Sequence, residues 1–146
     1  GWRVTVIMLG AESLAAMPSP LCRGAPGAEC VFPHTNAEVR WAMVEEQGQV
    51  DKLLEVRDRC PALAAIIFDQ PRGLRNYEEP GLRSLDALIE AGCATAHRQP
   101  AFFSGEIDQG QADDVAAIFF TSGTSRQSEG RGAHPQQLDR PRPSRR

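Results

Sequence analysis

One short segment carries residue types that can bind phosphate. Five small residues follow the apolar run Val115–Phe120: Thr121, Ser122, Gly123, Thr124 and Ser125. At the end of a strand, backbone N–H groups and small hydroxyls can surround phosphate oxygens, and a glycine lets the backbone approach them closely. By composition alone an ordinary Ser/Thr/Gly turn is the simpler interpretation, because such turns are common.

The cysteines and histidines form no motif typical of a metal or catalytic site. No C-x-x-C pair occurs, and no histidine lies at zinc-finger spacing from a cysteine. These residues are Cys22, Cys30, Cys60, Cys93, His34, His97 and His134. We predict reduced, isolated thiols and no metal site. A Cys–His nucleophilic pair stays open, although nothing in the sequence favours it.

Charge is divided unevenly along the chain. Residues 126–146 hold six Arg, two acids and only two apolar residues, a formal net charge of +4. Residues 1–125 hold 10 basic and 17 acidic side chains, a net charge of −7, and 58 apolar residues. No apolar run is long enough for a membrane-spanning helix, and an acidic body is a poor nucleic-acid surface. We predict a folded body over 1–125 and a disordered basic tail over 126–146.

Four apolar runs predict the strands that would position the phosphate-binding segment. They are short, continuous and rich in β-branched or aromatic residues, which is typical of strands buried on both faces. These runs are Val4–Leu9, Arg40–Glu45, Ala64–Phe68 and Val115–Phe120. The first also lacks the length of a signal peptide's apolar region.

The intervening sequence predicts helices and loops. Glu46–Arg59 has the spacing of an amphipathic helix ended by Pro61. Ser84–Ala91 predicts a helix capped by Ser84, with Gly92 just past its end. Three stretches are predicted to be loop or irregular: Ala11–Asn36 apart from one helical turn around Ala28–Phe32, Pro71–Pro80, and 93–112. Alternating strands and helices indicate an α/β fold of βαβ units with a mostly parallel sheet.

Several other residues have structural interpretations. We expect Trp41 in the core and Tyr77 in a loop. Asp69, Asp113 and Asp114 are expected to be solvated acids at strand ends rather than metal ligands.

Residues 113–124 closely resemble the phosphate-loop signature of the AMP-forming acyl-CoA synthetases, in the adenylate-forming ligase superfamily. In that signature, as here, aspartates lead into an apolar strand that runs into Thr-Ser-Gly-Thr. Stretches 36–54 and 66–74 resemble segments upstream of this loop in long-chain fatty acyl-CoA synthetases. The likeness covers about residues 10–124 and is weakest over Ala11–Pro33, where Pro33 interrupts a stretch that is helical in the family.

This resemblance implies that residues 1–125 are a partial AMP-binding domain, the incomplete N-terminal part of the large adenylate-forming domain. Family enzymes use ATP and Mg²⁺ to convert a fatty acid to an acyl-adenylate, which the thiol of coenzyme A then attacks. The residues carried over as ATP-phosphate contacts are Thr121, Ser122, Gly123, Thr124 and Ser125, with a weak match at Gly130. The family's remaining machinery lies downstream, so no catalytic residue is assigned and we expect no ligase activity from this chain alone.

The sequence departs from the signature directly after the loop. Arg126 stands where the family has Gly, and Glu129 where it has a phosphate-contacting Lys. A carboxylate there would repel a triphosphate. The family's apolar stretch followed by Thr-His is also missing after Gly130.

A single extra nucleotide near codons 125–126 would explain these departures together. The tail can be written in permitted codons and then read in a frame shifted by one base. That frame can encode Ser-Gly-Lys-Ala-Lys-Gly-Val-Val-Leu-Thr-His-Ser-Asn, in which Lys, Thr and His have the family's spacing. The chain has 15 Arg and only one Lys, which suggests a GC-rich coding sequence. We predict that residues 126–146 are translated out of frame.

The resemblance further implies a cytoplasmic enzyme whose intact form can associate peripherally with a membrane. The Arg-rich, Lys-poor composition predicts a bacterial source with a GC-rich genome. No specific protein partner and no nucleic acid are predicted. An incomplete domain would leave its last strand an unpaired edge and its helix faces uncovered, so we expect marginal stability.

Two other function classes stay open. One is a small stand-alone nucleotide-binding α/β module that uses the same loop. The other is a non-enzymatic protein whose basic tail binds polyanions such as DNA or anionic lipid. That tail has no aromatic residue to stack on bases.

Overall fold

The computed structural model describes residues 2–21, 24, 26–111 and 113–119, which form helices and one small sheet. In chain order the elements are α1 (Trp2–Ser13), α2 (Gly27–Asn36), β1 (Trp41–Val44), α3 (Gln47–Glu55), β2 (Ala65–Phe68), β3 (Leu82–Ser84), α4 (Leu85–Arg98) and α5 (Phe102–Ile107). One compact unit is Leu21–Phe102, and the described part of the other comprises residues 2–20 with 103–119.

The three described strands form a parallel sheet in the order β1-β2-β3. Ala42 is in register with Ile66, and Ile66 with Leu82. Parallel strands need a crossover connection, which α3 supplies between β1 and β2. Residues 69–81 connect β2 to β3 without a helix or strand. The prediction of an α/β class with parallel strands is therefore confirmed.

The core lies between α3 and one face of this sheet. Val50 is 0% exposed and Ile66 only 1%. Residues three apart on a helix share a face, so Leu53 is buried beside Val50. The other buried members of this cluster are Ala42, Val56, Cys60, Leu63 and Leu74. Among the described residues, apolar burial is therefore concentrated on the β1–α3–β2 unit.

Local sequence sets the start and end of α3 close to the predicted bounds. Gln49 Oε1 accepts hydrogen bonds from the backbone N–H groups of Glu45 (2.8 Å) and Glu46 (3.3 Å), which lie at the helix start. The α-helix ends at Glu55, and a 3₁₀ turn over Arg57–Arg59 follows it, just before Pro61. The strands predicted over Arg40–Glu45 and Ala64–Phe68 are likewise confirmed as β1 and β2.

The predicted strand at Val4–Leu9 is wrong, because these residues lie inside the helix α1. A strand must exchange hydrogen bonds with a neighbour, and the described part of their unit contains no strand. A helix instead satisfies the backbone N–H and C=O groups within the segment.

The loop predicted over Ala11–Asn36 is also only partly right, because α1 extends to Ser13 and α2 spans Gly27–Asn36. The helix continues through Pro33, which removes one backbone donor. The Pro33 carbonyl still accepts from the Ala37 N–H at 3.0 Å. We expected only one helical turn here because proline carries a strong average penalty within helices.

The region after residue 80 is more regular than predicted. Ser84 does cap α4, since its Oγ accepts from the Ala87 N–H at 3.2 Å. The helix does not end at Gly92 but continues to Arg98, and α5 also falls within the stretch expected to be irregular. Alanines around Gly92 favour the helix and offset the cost of one glycine. The strand β3 was not predicted, because three residues give no usable pattern.

Many large apolar side chains are exposed. Trp41 is 57% exposed on β1, so the prediction that it belongs to the core is wrong. None of the described residues in 3–20 or 103–119 is buried. Most of α4 after Leu85 is also exposed. No helix in the described ranges combines the length and apolar character that crossing a membrane requires.

Ile66→Ala tests the core. We expect a loss of about 2–5 kcal/mol in unfolding free energy, because a fully buried isoleucine leaves a cavity in the α3–sheet interface. Ile89→Ala removes the same atoms from a side chain that is 51% exposed and should change stability by less than about 0.5 kcal/mol. Denaturant titration measures both variants. Equal effects would contradict the core described above.

A glycine pair tests the turn before β3. Gly81 has φ +82, and a Cβ there would collide with the Ala64 carbonyl oxygen. Gly81→Ala should therefore lower stability by more than about 1 kcal/mol. Gly92→Ala has open space within α4 and should raise stability by about 0.5–1 kcal/mol. Thermal unfolding that shifts both variants in the same direction would contradict these assignments.

Candidate functional site

The predicted phosphate-contacting residues lie outside the described part of the chain. These are Thr121, Ser122, Gly123, Thr124 and Ser125, and the weak match Gly130 and the tail 126–146 are outside it too. Their assignment as phosphate contacts therefore stays a prediction.

The approach to that loop is described as far as Phe119, and it differs from the prediction. Residues 113–119 form no strand, and Phe119 is 69% exposed. The Ile118 N–H donates to the Pro18 carbonyl oxygen at 3.0 Å, but the described residues of this stretch form no ladder of such bonds. The predicted buried strand over Val115–Phe120 is thus wrong for its described residues. Apolar composition suits a buried strand only where neighbouring strands supply hydrogen bonds and cover both faces.

A second place to seek a site is the edge where the parallel strands end. In open parallel sheets, ligands bind outside the carboxyl ends of the strands, especially where the strand order reverses. The described sheet has the order β1-β2-β3 and no reversal. The N-terminus of α3 follows β1 at this edge, and the connection 69–81 follows β2.

A hydrogen-bond network fastens the connection 69–81 to α3. The Tyr77 hydroxyl donates to Asp51 Oδ1 at 2.6 Å and accepts from Gln47 Nε2 at 2.9 Å. The bond to Asp51 favours the neutral phenol and raises the pKa of Tyr77 above its ordinary value. Tyr77 is a loop residue, as predicted, but it also joins two segments about 30 positions apart.

Two neighbouring residues fix the same connection. Leu74 is 6% exposed and belongs to the core cluster. Gly73 has φ +84, and a Cβ there would collide with the Gln47 side chain. The Leu74 N–H also donates to the Pro71 carbonyl at 3.1 Å. The turn over 71–74 is therefore held from both backbone and side chain.

This turn borders an open cleft with two guanidinium groups. The cleft has a volume of about 560 Å³ and is lined by Gln70, Pro71, Arg72, Gly73 and Arg75. We name it the Arg72/Arg75 cleft. Its lining contains no carboxylate, and both arginines are exposed. Among the described residues, neither arginine has an ion-pair or hydrogen-bond partner. Such a lining can attract an anion.

A second, smaller cavity belongs to the other unit and has the opposite charge. Its volume is about 230 Å³, and its lining includes the carboxylates of Glu12, Glu106 and Asp114. Those carboxylates disfavour phosphate. Among the residues described, no three His, Cys, Asp or Glu side chains are grouped as a metal site would need.

Two of the described thiols, those of Cys30 and Cys60, are poorly suited to nucleophilic catalysis. Cys30, Cys60 and Cys93 are free thiols. Burial raises the pKa values of Cys30 and Cys60, which lowers their thiolate fraction. His34 Nδ1 lies 2.6 Å from the backbone carbonyl oxygen of Cys30, so this ring nitrogen is bonded to backbone rather than to a thiol. His97 Nδ1 bonds the Cys93 carbonyl in the same way at 2.8 Å.

The sequence reasoning missed the Arg72/Arg75 cleft. The only local signal was a glycine between two arginines, because Pro-Arg-Gly-Leu-Arg in a polar loop has no strong periodicity. What makes the arginines notable is the burial of Leu74 between them, and that depends on packing against α3 and β2.

Comparison of the chain with family models, with curated proteins and with solved structures finds no significant match.

The Tyr77 network can be tested by titration, because Tyr77 is the chain's single tyrosine. Its tyrosinate absorbance should appear with a midpoint above the ordinary pKa of 10.0. Asp51→Ala removes the acceptor and should lower that midpoint. A wild-type midpoint at or below 10.0, or no change in the variant, would contradict the network.

Stability should follow the same titration. The neutral phenol makes the bond, so its stabilising effect is complete below the ordinary pKa and is lost as pH rises through the raised folded-state pKa. Tyr77→Phe should therefore melt at a lower temperature than the wild type near neutral pH. The gap should close above about pH 10. A gap that widens with pH would be inconsistent with this assignment.

Proposed function

We propose that this chain is the N-terminal part of an AMP-forming long-chain fatty acid–CoA ligase, with its reading frame lost after the phosphate loop. The observation that carries the proposal is the run from Asp113 to Thr124, which resembles the family's phosphate-loop signature over an unbroken stretch. The β1–α3–β2 unit supports it, since strands and a helix lie where the upstream resemblance predicts them.

In such a ligase, the task of the first step is to hold a triphosphate so that a fatty-acid carboxylate attacks the α-phosphorus in line. Pyrophosphate leaves. The thiol of coenzyme A then attacks the acyl carbon of the adenylate, and AMP leaves as the thioester forms. Charge that develops on the phosphate needs fixed donors and a cation. Mg²⁺ supplies part of that charge when it is bound.

The loop's own donors fit phosphate in part. Hydroxyls of Thr121, Ser122, Thr124 and Ser125 and backbone N–H groups near Gly123 can donate to phosphate oxygens. Glu129 opposes this fit, because it places a carboxylate where the family has a lysine. We therefore expect weak triphosphate binding in this frame and a stronger fit when the frame is restored.

A stand-alone nucleotide-binding module that uses the same loop is the second candidate. The buried core around α3, β1 and β2 favours it, because the described residues bury an apolar cluster of their own. On this alternative, the chain binds ATP as a folded monomer without catalysing ligation, and Gly123→Val abolishes that binding.

The nucleotide sequence tests the proposed identity directly. We expect an open frame, displaced by one base near codons 125–126, that continues the ligase motifs downstream. Codons that cannot encode the Lys, Thr and His of the family pattern in the shifted frame would contradict the proposal.

An activity assay gives the complementary test. The chain of 146 residues should release no pyrophosphate from ATP and a long-chain fatty acid. A gene with the frame restored should encode an enzyme that does. Gly123→Val should reduce that rate by at least about 100-fold, because a side chain there would keep the backbone N–H donors away from the phosphate oxygens. Gly92→Val, at a site with open space, serves as the control. An inactive restored enzyme would contradict the proposal.

A further inference from the structure

We propose that the Arg72/Arg75 cleft is an anion site that binds the phosphate groups of a small phosphorylated ligand. It uses none of the residues of the predicted phosphate loop, and it lies in the unit Leu21–Phe102. The inference therefore stands independently of the ligase assignment.

Charge is the first reason. Arg72 and Arg75 line the same cleft, and its other lining residues are Gln70, Pro71 and Gly73. Acidic residues occur along the same connection, at Asp69, Glu78 and Glu79, but none of them lines the cleft. Both guanidinium groups are exposed and line one cleft, so both are available to a bound anion.

Rigidity is the second reason. Leu74 is buried in the core between the two arginines in sequence, so the backbone that carries both is anchored. Tyr77 ties the same connection to α3 through Asp51 and Gln47. Binding then requires little ordering of the backbone, and more of the interaction energy is retained as affinity.

The size and lining select the class of ligand. A volume of about 560 Å³ that is open to solvent can admit a small ligand. A guanidinium group can donate two parallel N–H bonds to two phosphate oxygens at once. Gln70 can add a donor from its side-chain amide. The lining has no aromatic residue to stack on bases, and residues 1–125 carry a net charge of −7. These features favour a small phosphorylated ligand such as a diphosphate over a nucleic-acid strand.

The test is calorimetric titration of the full chain with inorganic pyrophosphate and, separately, with ATP at low salt. We expect binding that weakens as ionic strength rises. Arg72→Gln/Arg75→Gln should weaken it at least about tenfold, because hydrogen bonds to charged groups are lost. Arg72→Lys/Arg75→Lys keeps the charge but lacks the paired N–H donors of the guanidinium groups. Its affinity should lie between those of the wild type and of Arg72→Gln/Arg75→Gln.

A matched control separates the cleft from net charge. Arg83→Gln/Arg98→Gln removes two positive charges from the same unit without altering the cleft lining, and should stay within about twofold of the wild type, the small effect expected of screened charges. Circular dichroism of each variant establishes that the fold is retained. Equal weakening in both pairs, or wild-type affinity in Arg72→Gln/Arg75→Gln, would overturn the proposal.

Gly123→Val distinguishes this site from the predicted loop. If pyrophosphate binding survives Gly123→Val and is lost in Arg72→Gln/Arg75→Gln, the cleft is the site, whatever the outcome for the ligase. If pyrophosphate binding is lost in Gly123→Val and survives in Arg72→Gln/Arg75→Gln, the anion binds at the predicted loop and the proposal fails. No binding of either probe, or binding only to phosphatidylglycerol vesicles, would also overturn it.

Discussion

The described fold depends on the burial of α3 against the parallel pair β1 and β2. Val50 on the helix and Ile66 on the central strand are the most deeply buried large side chains. A parallel pair cannot close through a short hairpin, so its crossover must pack back onto the sheet. Here α3 both makes the crossover between β1 and β2 and supplies the apolar side chains that pack on the sheet. The contact therefore decides both the topology and the position of the core.

The same core determines what the adjoining surface can do. Leu74 enters the cluster from the connection after β2, and the polar residues beside it must then remain outside. This leaves Arg72 and Arg75 exposed on an anchored turn, with Tyr77 bonded to α3 nearby. A binding surface can thus arise from a buried leucine whose neighbours in sequence are charged.

Large apolar surfaces outside this core remain uncovered within the described residues. Trp41 lies exposed on an edge strand, and α4 presents Ile89 to solvent. The described residues 3–20 and 103–119 include no buried side chain. Exposed apolar surface of this kind is where other protein surfaces pack.

Local sequence was sufficient to predict an element where its apolar pattern matches the burial of its residues. The strands β1 and β2, the amphipathic α3 and the Ser84 cap all follow from residue spacing and capping chemistry. The segments Val4–Leu9 and 115–119 have equally apolar patterns, yet one is helical and the other irregular. Apolar composition alone cannot choose between helix and strand, because a strand needs hydrogen-bonding neighbours from distant sequence. The sequence by itself therefore determined the α/β class and the phosphate-loop resemblance. Only the tertiary structure decided which apolar runs became strands and that Arg72 and Arg75 share a cleft, because both depend on contacts between residues far apart in the chain.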